Sequence, residues 1–409
     1  MIPSKGEDWL ISFKDPITLW EEHWFALTLE VANAIILYNI FRYAKRKGNE
    51  SCYLVLASMF TAICFELLPL IPQAGYQLWW YHQGMVNIVN RRVPSYVIST
   101  FAIVHYVVYN LTRDSNLPLL TRSLVSGLCG IAMYCPLLWL APRLLLTIIH
   151  FDDVVFRDSI FGVPCVQIMF MFFMFLHTSQ VFIPNYRALE DRDRSTYNLV
   201  WCSVQSGLVA AIYAVVEQYV LYILITLICR GHTGLCILAG IVIASYLAKA
   251  ELKSMTMKSF TISGTLKPLT RKTWWAAACI LVFVSTLPIW LNIHSLKSNG
   301  NRLELGPCHI KHDVSNTSPL ELPRRRFICP RDGTYLHFDF HCVNSNHLKV
   351  EVQRNASSYT ICGKALKDPH KTAISIGTYS VICLLIFYNL LRLSFAFEIK
   401  EKIEKDTKN

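Results

Sequence analysis

Long runs almost free of charge dominate this chain. Residues 373–396 read TAISIGTYSVICLLIFYNLLRLSF, and residues 23–41 read HWFALTLEVANAIILYNIF. Lipid offers no partner to an open backbone, so a run of roughly 20 apolar residues crosses the hydrocarbon as a helix. Nine runs qualify, at 23–41, 52–72, 93–111, 121–141, 161–184, 199–228, 233–250, 274–293 and 373–396. The composition agrees, with 53% hydrophobic and 16% charged residues, where soluble domains carry about 25% charged. A soluble enzyme, a disordered chain and a fibrous repeat are excluded.

The formal charge of +11 is a topology signal rather than a nucleic-acid footprint. The loops after spans one, three, five and seven, with the C-terminal tail, hold 19 Lys and Arg against 7 in the opposite short segments. Positive residues stay cytosolic, so the N-terminus is expected to be luminal or extracellular and the C-terminus cytosolic. No basic n-region or small-residue cleavage site precedes the first span, which is expected to serve as an uncleaved anchor. This is an integral membrane protein of the secretory pathway, its compartment (endoplasmic reticulum, Golgi or plasma membrane) left open.

The expected architecture is an all-α polytopic membrane protein of about nine transmembrane helices, a seven-helix bundle plus two, with a small disulfide-held β-rich luminal module. Residues 1–22 form an interfacial segment and 23–250 the bundle. Residues 251–273 are a basic cytosolic linker, 274–293 a span, and 294–370 the luminal Cys-containing module. A closing span at 373–396 and a cytosolic tail at 397–409 follow. The module carries Cys308, Cys329, Cys342 and Cys362, with sequons at Asn316 and Asn355. In an oxidising compartment four cysteines form disulfides, with three connectivities open. The sequons at Asn49 and Asn110 fall cytosolic and are expected to stay empty. FICPRDGTYLHFDFHCV and HLKVEVQ alternate apolar and polar residues as strands do.

Ionisable residues at membrane depth are costly and therefore candidates for function. Glu30, His105, His177 and Glu217 lie within spans one, three, five and six, and Glu66 lies near the end of span two. Interhelical hydrogen bonding is the structural explanation for each. The luminal ends collect Glu66, the run Trp79-Trp80-Tyr81-His82-Gln83, and His150-Phe151-Asp152-Asp153. A carboxylic acid at low dielectric donates a proton readily, so Glu66, His82 and Asp153 form the candidate catalytic set, with His150 and Asp152 beside them. Interfacial anchoring explains the same residues structurally. Imidazole and carboxylate together also suit a divalent metal, but no metal ligands are assigned and the cofactor is open. Cys308-His309-x-x-His312 only loosely resembles a metal box.

The stretches FELLPL (65–70), WYHQG (80–84), NRRVPSYV (90–97), HFDD (150–153), FGVP (161–164), CPRDGTYLHFDFHC (329–342) and YTICG (359–363) together resemble a domain-of-unknown-function family of eukaryotic multi-pass membrane proteins. More distantly, the intramembrane Glu, the Val-Pro opening span three and the Gly-Val-Pro opening span five resemble carotenoid-hydratase and carotenoid-synthesis membrane proteins. That resemblance implies an acidic residue, here Glu66, that helps protonate a polyene, with Pro94 and Gly162-Val163-Pro164 as matching turns. The family's acidic positions around the span-four proline are Tyr134 and Leu138 here, and its Asn after Gly-Val-Pro is Gln167 or absent.

The leading expectation is a membrane protein that binds a lipid, or a protein partner through the luminal module, without established catalysis. An enzyme acting on an isoprenoid or carotenoid-like lipid by acid-assisted addition or isomerisation is the alternative. A transporter comes third, because inverted halves and paired broken helices are missing from the pattern. The bilayer itself is a partner, and nucleic acid is not.

Overall fold

The computed structural model describes residues 10–67, 79–89, 91–113, 118–149, 158–160, 163–190, 196–227, 286–301, 305–306, 328–330, 337–353 and 358–382, with isolated positions elsewhere. Among them six long helices form a bundle: α1 (Pro16–Lys47), α2 (Asn49–Leu67), α3 (Ser95–Arg113), α4 (Leu119–Leu140), α5 (Cys165–Glu190) and α6 (Thr196–Leu227). Among the described residues, five stretches are long and apolar enough to cross a membrane: Pro16–Lys47, Asn49–Leu67, Leu119–Arg143, Cys165–Tyr186 and Tyr197–Glu217. The chain is a membrane protein by this measure. Helix α3, the expected third span, is not among the five. It packs on α1, α2 and α4, and its Ser95, Ser99, Thr100 and His105 spend their polarity inside the bundle. The expected seventh, eighth and ninth spans lie wholly or partly outside the described residues, although 369–382 is helical.

Helix α1 starts earlier than the expected first span. Asp15 caps it, accepting from the Thr18 backbone N–H at 2.8 Å, and Pro16 supplies the fixed φ that suits a first turn. The helix kinks at His23 (φ −152°, ψ 65°), whose buried ring leaves the helical path. Small residues then let helices approach closely. A Cβ at Gly207 of α6 would lie 2.8 Å from the Thr61 backbone nitrogen of α2, and one at Gly130 of α4 would lie 2.2 Å from the Phe175 ring of α5.

Short strands gather at the end where α1, α3 and α5 begin. Strands β1 (Ile11–Phe13), β3 (Val86–Ile88) and β4 (Val93–Pro94) form one antiparallel sheet, in the order β1-β3-β4. Strand β2 (Trp79–Tyr81) pairs with β5 (Thr147–Ile149), and β6 (Ser159–Ile160) with β7 (Val163–Pro164). Strands give the inter-helix segments backbone partners that lipid cannot provide. Val89 and Arg91, in the β3–β4 turn, and Leu145, just before β5, take positive φ values of 50°, 61° and 54°. These are costly for residues with a Cβ, and the Val89 N–H is held by Leu10 O at 2.9 Å.

The module after residue 293 contains β8 (Lys297–Asn301), β9 (Phe338–Asp339) and β10 (Ser358–Gly363), antiparallel in the order β8-β10-β9. Its ends meet. The Gly363 N–H donates to Leu296 O at 2.9 Å, and a Cβ at Gly363 would come within 1.9 Å of Ile293 O. Only glycine allows that approach. Strand β8 also touches α1 and β2, so the module sits on the strand-bearing end of the bundle.

One expected strand is a helix. HLKVEVQ falls within α7 (Ser345–Gln353). Asn344 starts it, its carbonyl accepting from Leu348 N at 2.9 Å and its side chain from Asn346 N at 2.9 Å. Leu348 and Val352, one turn apart, pack on the core, while Val350 stays 43% exposed. The same letters satisfy period 2 and i, i+4 spacing, and the Asn cap decides between them.

Candidate functional site

Glu30 of α1 is nearly buried and fully engaged. Its carboxylate accepts from the backbone N–H groups of Met85 (2.5 Å) and Val86 (3.0 Å) and from the Ser95 hydroxyl. It neutralises the open donors of a turn that Asn87 closes from the other side, accepting from Gly84 N at 2.8 Å and donating to Gly84 O at 2.8 Å. One helical turn on, the Asn33 amide donates to Tyr96 O (3.2 Å) and to Thr100 Oγ1 (2.7 Å). An acid that is costly in lipid becomes the fastener of the strand-bearing end.

Glu66 and His82 go to different partners. The Tyr81 hydroxyl donates to Glu66 Oε1 at 2.6 Å. Burial and the adjoining Glu66 carboxylate raise the Tyr81 phenol well above its ordinary range. His82, next along the chain, turns to the other side and is completely buried. Its Nδ1 lies 2.8 Å from Ser298 Oγ in β8, its ring stacks on His23 at 4.6 Å, and its Nε2 has no hydrogen-bond partner among the described residues. Burial, then the nearby His23 and Lys14, push the His82 imidazole well below its usual value. His23 is a neutral Nε2–H tautomer by its contacts, with Nδ1 accepting from Ala26 N at 3.1 Å and Nε2 lying 2.6 Å from Leu144 O. Asp153, Asp152 and His150 lie outside the described residues.

Around this mouth the module makes a second contact. Asn299 donates to both Glu22 oxygens at 3.0 Å, and Lys14 pairs with Glu22 at 2.5 Å. Sequence reasoning missed Glu22, Ser298 and Asn299. Nothing local to any of them shows that a segment more than 200 residues away will be its partner.

His105 of α3 pins three helices. Its Nδ1 lies 2.6 Å from Ser58 Oγ of α2, its Nε2 meets the Thr178 hydroxyl of α5, and Phe101 and Phe175 stack on its ring. A neutral imidazole has one donor and one acceptor, so one hydroxyl donates to it and the other accepts.

His177 of α5 and Glu217 of α6 meet differently. His177 Nε2 and Glu217 Oε2 are 2.6 Å apart, a close contact that is not aligned as a hydrogen bond. Nδ1 of the same ring lies 3.2 Å from Gln180 Oε1, and Tyr213 stacks on it at 5.6 Å. These residues line a cleft of about 530 Å³ that Val181, Pro184 and Val209 complete with apolar surface. The Glu217 side chain is 41% exposed. Of the ionisable groups expected within spans, His177 and Glu217 line this cleft.

In the module Cys342 and Cys362 form a disulfide with a Cα–Cα distance of 5.9 Å, and Cys329 is disulfide-bonded as well. Cys308, Asn316 and Asn355 lie outside the described residues. Beside the Cys342–Cys362 bond, Asp339 and His341 are hydrogen-bonded to each other, and His294 stacks on His341 at 3.9 Å.

The chain belongs to the family described as Domain of unknown function (DUF7802), whose model matches residues 5–392. No curated protein and no solved structure matches it. The distant likeness to carotenoid-hydratase proteins therefore gains no support, whereas the likeness to a domain-of-unknown-function family is established.

Proposed function

We propose that this member of the DUF7802 family binds an amphipathic lipid in the cleft between α5 and α6, with the lipid's hydroxyl or amine end at the His177–Glu217 pair. The observation that carries the reading is the partly exposed side chain of Glu217, its Oε2 held 2.6 Å from His177 Nε2, in the lining of a cleft of about 530 Å³. Glu30 and His105 have their capacity taken up by the protein. Glu217 Oε2 meets only His177 and makes no hydrogen bond among the described residues, so its carboxylate retains acceptor capacity. At membrane depth such capacity is costly until a donor fills it. The outer face of α6 supports the tail end of the reading, since Ile212, Val216 and Val220 are 41%, 53% and 49% exposed.

The nine-span topology belongs to the same proposal. The strand-bearing end and the module face the lumen or exterior, where Asn316 and Asn355 receive glycans, and the tail faces the cytosol. The distribution of Lys and Arg supports this orientation, and so does a disulfide in the module, since disulfides persist in oxidising compartments. Protease protection of the module in sealed microsomes tests it.

A catalytic role for Glu66, His82 and Asp153 has less support, because Glu66 is engaged by Tyr81 and His82 faces Ser298. The deciding experiment is lipid mass spectrometry on full-length protein purified from native membrane in mild detergent. The expected result is a stoichiometric lipid bearing a hydroxyl or amine, lost on Glu217→Gln with His177→Ala. An unchanged lipid complement in that double variant overturns the reading.

A further inference from the structure

Asp339, His341 and Cys362 present one donor atom each within 4.8 Å of one another. Strand pairing puts them there, since Asp339 sits opposite Cys362 in the β9–β10 register. His341 follows two residues later, and its backbone N–H donates to Asp339 Oδ1 at 3.2 Å. A fourth donor is covalently attached to the third, because Cys342 is the disulfide partner of Cys362. One carboxylate, one imidazole and one sulfur thus converge on one spot, with the Cys342 sulfur bonded to the third of them. While the two sulfurs are bonded to each other they are poor ligands, because the thiolate is the metal-binding form.

We propose that the Cys342–Cys362 bond gates a zinc site made of Cys342 Sγ, Cys362 Sγ, one imidazole nitrogen of His341 and one carboxylate oxygen of Asp339. Opening requires a dithiol reductant. Its thiolate attacks the Cys342 sulfur, which belongs to a partly exposed residue, while Cys362 is fully buried. The Cys362 sulfur leaves as thiolate, next to the Cys342 backbone N–H that already lies 3.0 Å from it. That donor stabilises the leaving group, which speeds exchange. The reductant's second thiol resolves the mixed disulfide. The reductant becomes a cyclic disulfide, and the protein gains two electrons and two protons as two thiols. Zinc then displaces both thiol protons.

The donor set favours zinc over calcium or magnesium, because two thiolates and an imidazole are softer than an all-oxygen shell. Donor atoms around a tetrahedral zinc stand about 3.5 Å apart, given Zn–S near 2.3 Å and Zn–N near 2.0 Å. Asp339, His341 and Cys362 already lie within 4.8 Å of one another and need a small closing movement, while the Cys342 sulfur must swing in to join them once its bond to Cys362 is open. His294 stacks on His341 at 3.9 Å and so limits the orientations open to its ring.

The inference is independent of the lipid cleft, and its test uses full-length protein in detergent. Protein is treated with dithiothreitol without oxygen, freed of reductant and titrated with ZnCl2 against a chromophoric chelator, while alkylation and peptide mass spectrometry report the state of Cys342 and Cys362. Reduced protein is expected to bind one more zinc per chain than oxidised protein. His341→Ala and Asp339→Ala should each weaken that site by about tenfold or more. Cys342→Ser, which frees Cys362 without a reductant, should gain a three-ligand zinc site in untreated protein. The proposal is overturned by a bond that the dithiol leaves closed in folded protein, by open cysteines that gain no zinc, or by an added zinc that His341→Ala leaves unchanged.

Discussion

Glu30 and Gly84 fit together so closely that a Cβ at position 84 would lie 2.7 Å from Glu30 Oε2. The carboxylate reaches the Met85 and Val86 N–H groups because no side chain stands in front of them. Gly84→Ala is therefore expected to displace the carboxylate and loosen the β3 turn. Glu30→Gln keeps the size but replaces an acceptor oxygen with a donor. Each should lower stability by about 1–3 kcal/mol, the cost of a buried polar group losing its partner. Thermal unfolding in detergent reads it, and a melting temperature unchanged in both variants would remove Glu30 as the fastener.

His105→Leu should cost much less than its burial suggests. The Ser58 and Thr178 hydroxyls already have helix carbonyls within reach, Leu54 O at 2.7 Å and Met174 O at 2.7 Å. Two interhelical contacts at about 0.6 kcal/mol each put the loss at about 1 kcal/mol. A double-mutant cycle of His105→Leu with Ser58→Ala measures the coupling directly. A loss several times larger would mean that His105 does more than pin helices.

Gly207→Ala should be more damaging than Gly127→Ala. At Gly207 the new methyl meets the α2 backbone, 2.8 Å from Thr61 N, so two helices must separate. At Gly127 the nearest atoms, at 2.6 Å, belong to the Phe172 ring, which rotates aside more easily. Overpacking of this kind costs about 1–3 kcal/mol. Melting temperatures of the two single variants test the ranking, and the reverse order contradicts it.

Acid should destabilise the module. His337 is held down to about 3 by burial and then by the positive charges of Arg143 and Lys364. An unfolded histidine titrates near 6.5. Between those values the unfolded chain carries the extra proton, so the stabilisation is complete above about pH 6.5 and shrinks as pH falls toward 3. The slope is at most about 1.4 kcal/mol per pH unit for one group. His82, also lowered, adds in the same direction. His337→Gln should flatten the fall in melting temperature between pH 7 and pH 5, and an unchanged slope rules His337 out.

The bundle was legible because a span declares itself over its own length. The apolar runs at 121–141 and 199–228 became α4 and α6 with shifts of a few residues at their ends. Glu30, His105, His177 and Glu217 stood out for the same local reason, being ionisable in apolar surroundings. Their partners did not, because the Glu30 contacts span 55–65 residues and the His82–Ser298 contact spans 216. Distance along the chain hides such pairings from any pattern read in a window. The alternation in HLKVEVQ misled for a different reason: two periods fit seven letters, and the Asn344 cap lies outside them.

Gly363 against Ile293 has one more implication. Because the backbone touches itself there, with Gly363 N bound to Leu296 O, the whole excursion between those points begins and ends at one place. A short turn joining the two sides of that contact would remove residues 298–361, and with them Phe338, Phe340, Tyr359 and Ile361, which share a hydrophobic core with the helices. It would also uncover His82 and Glu22, the two side chains that meet Ser298 and Asn299.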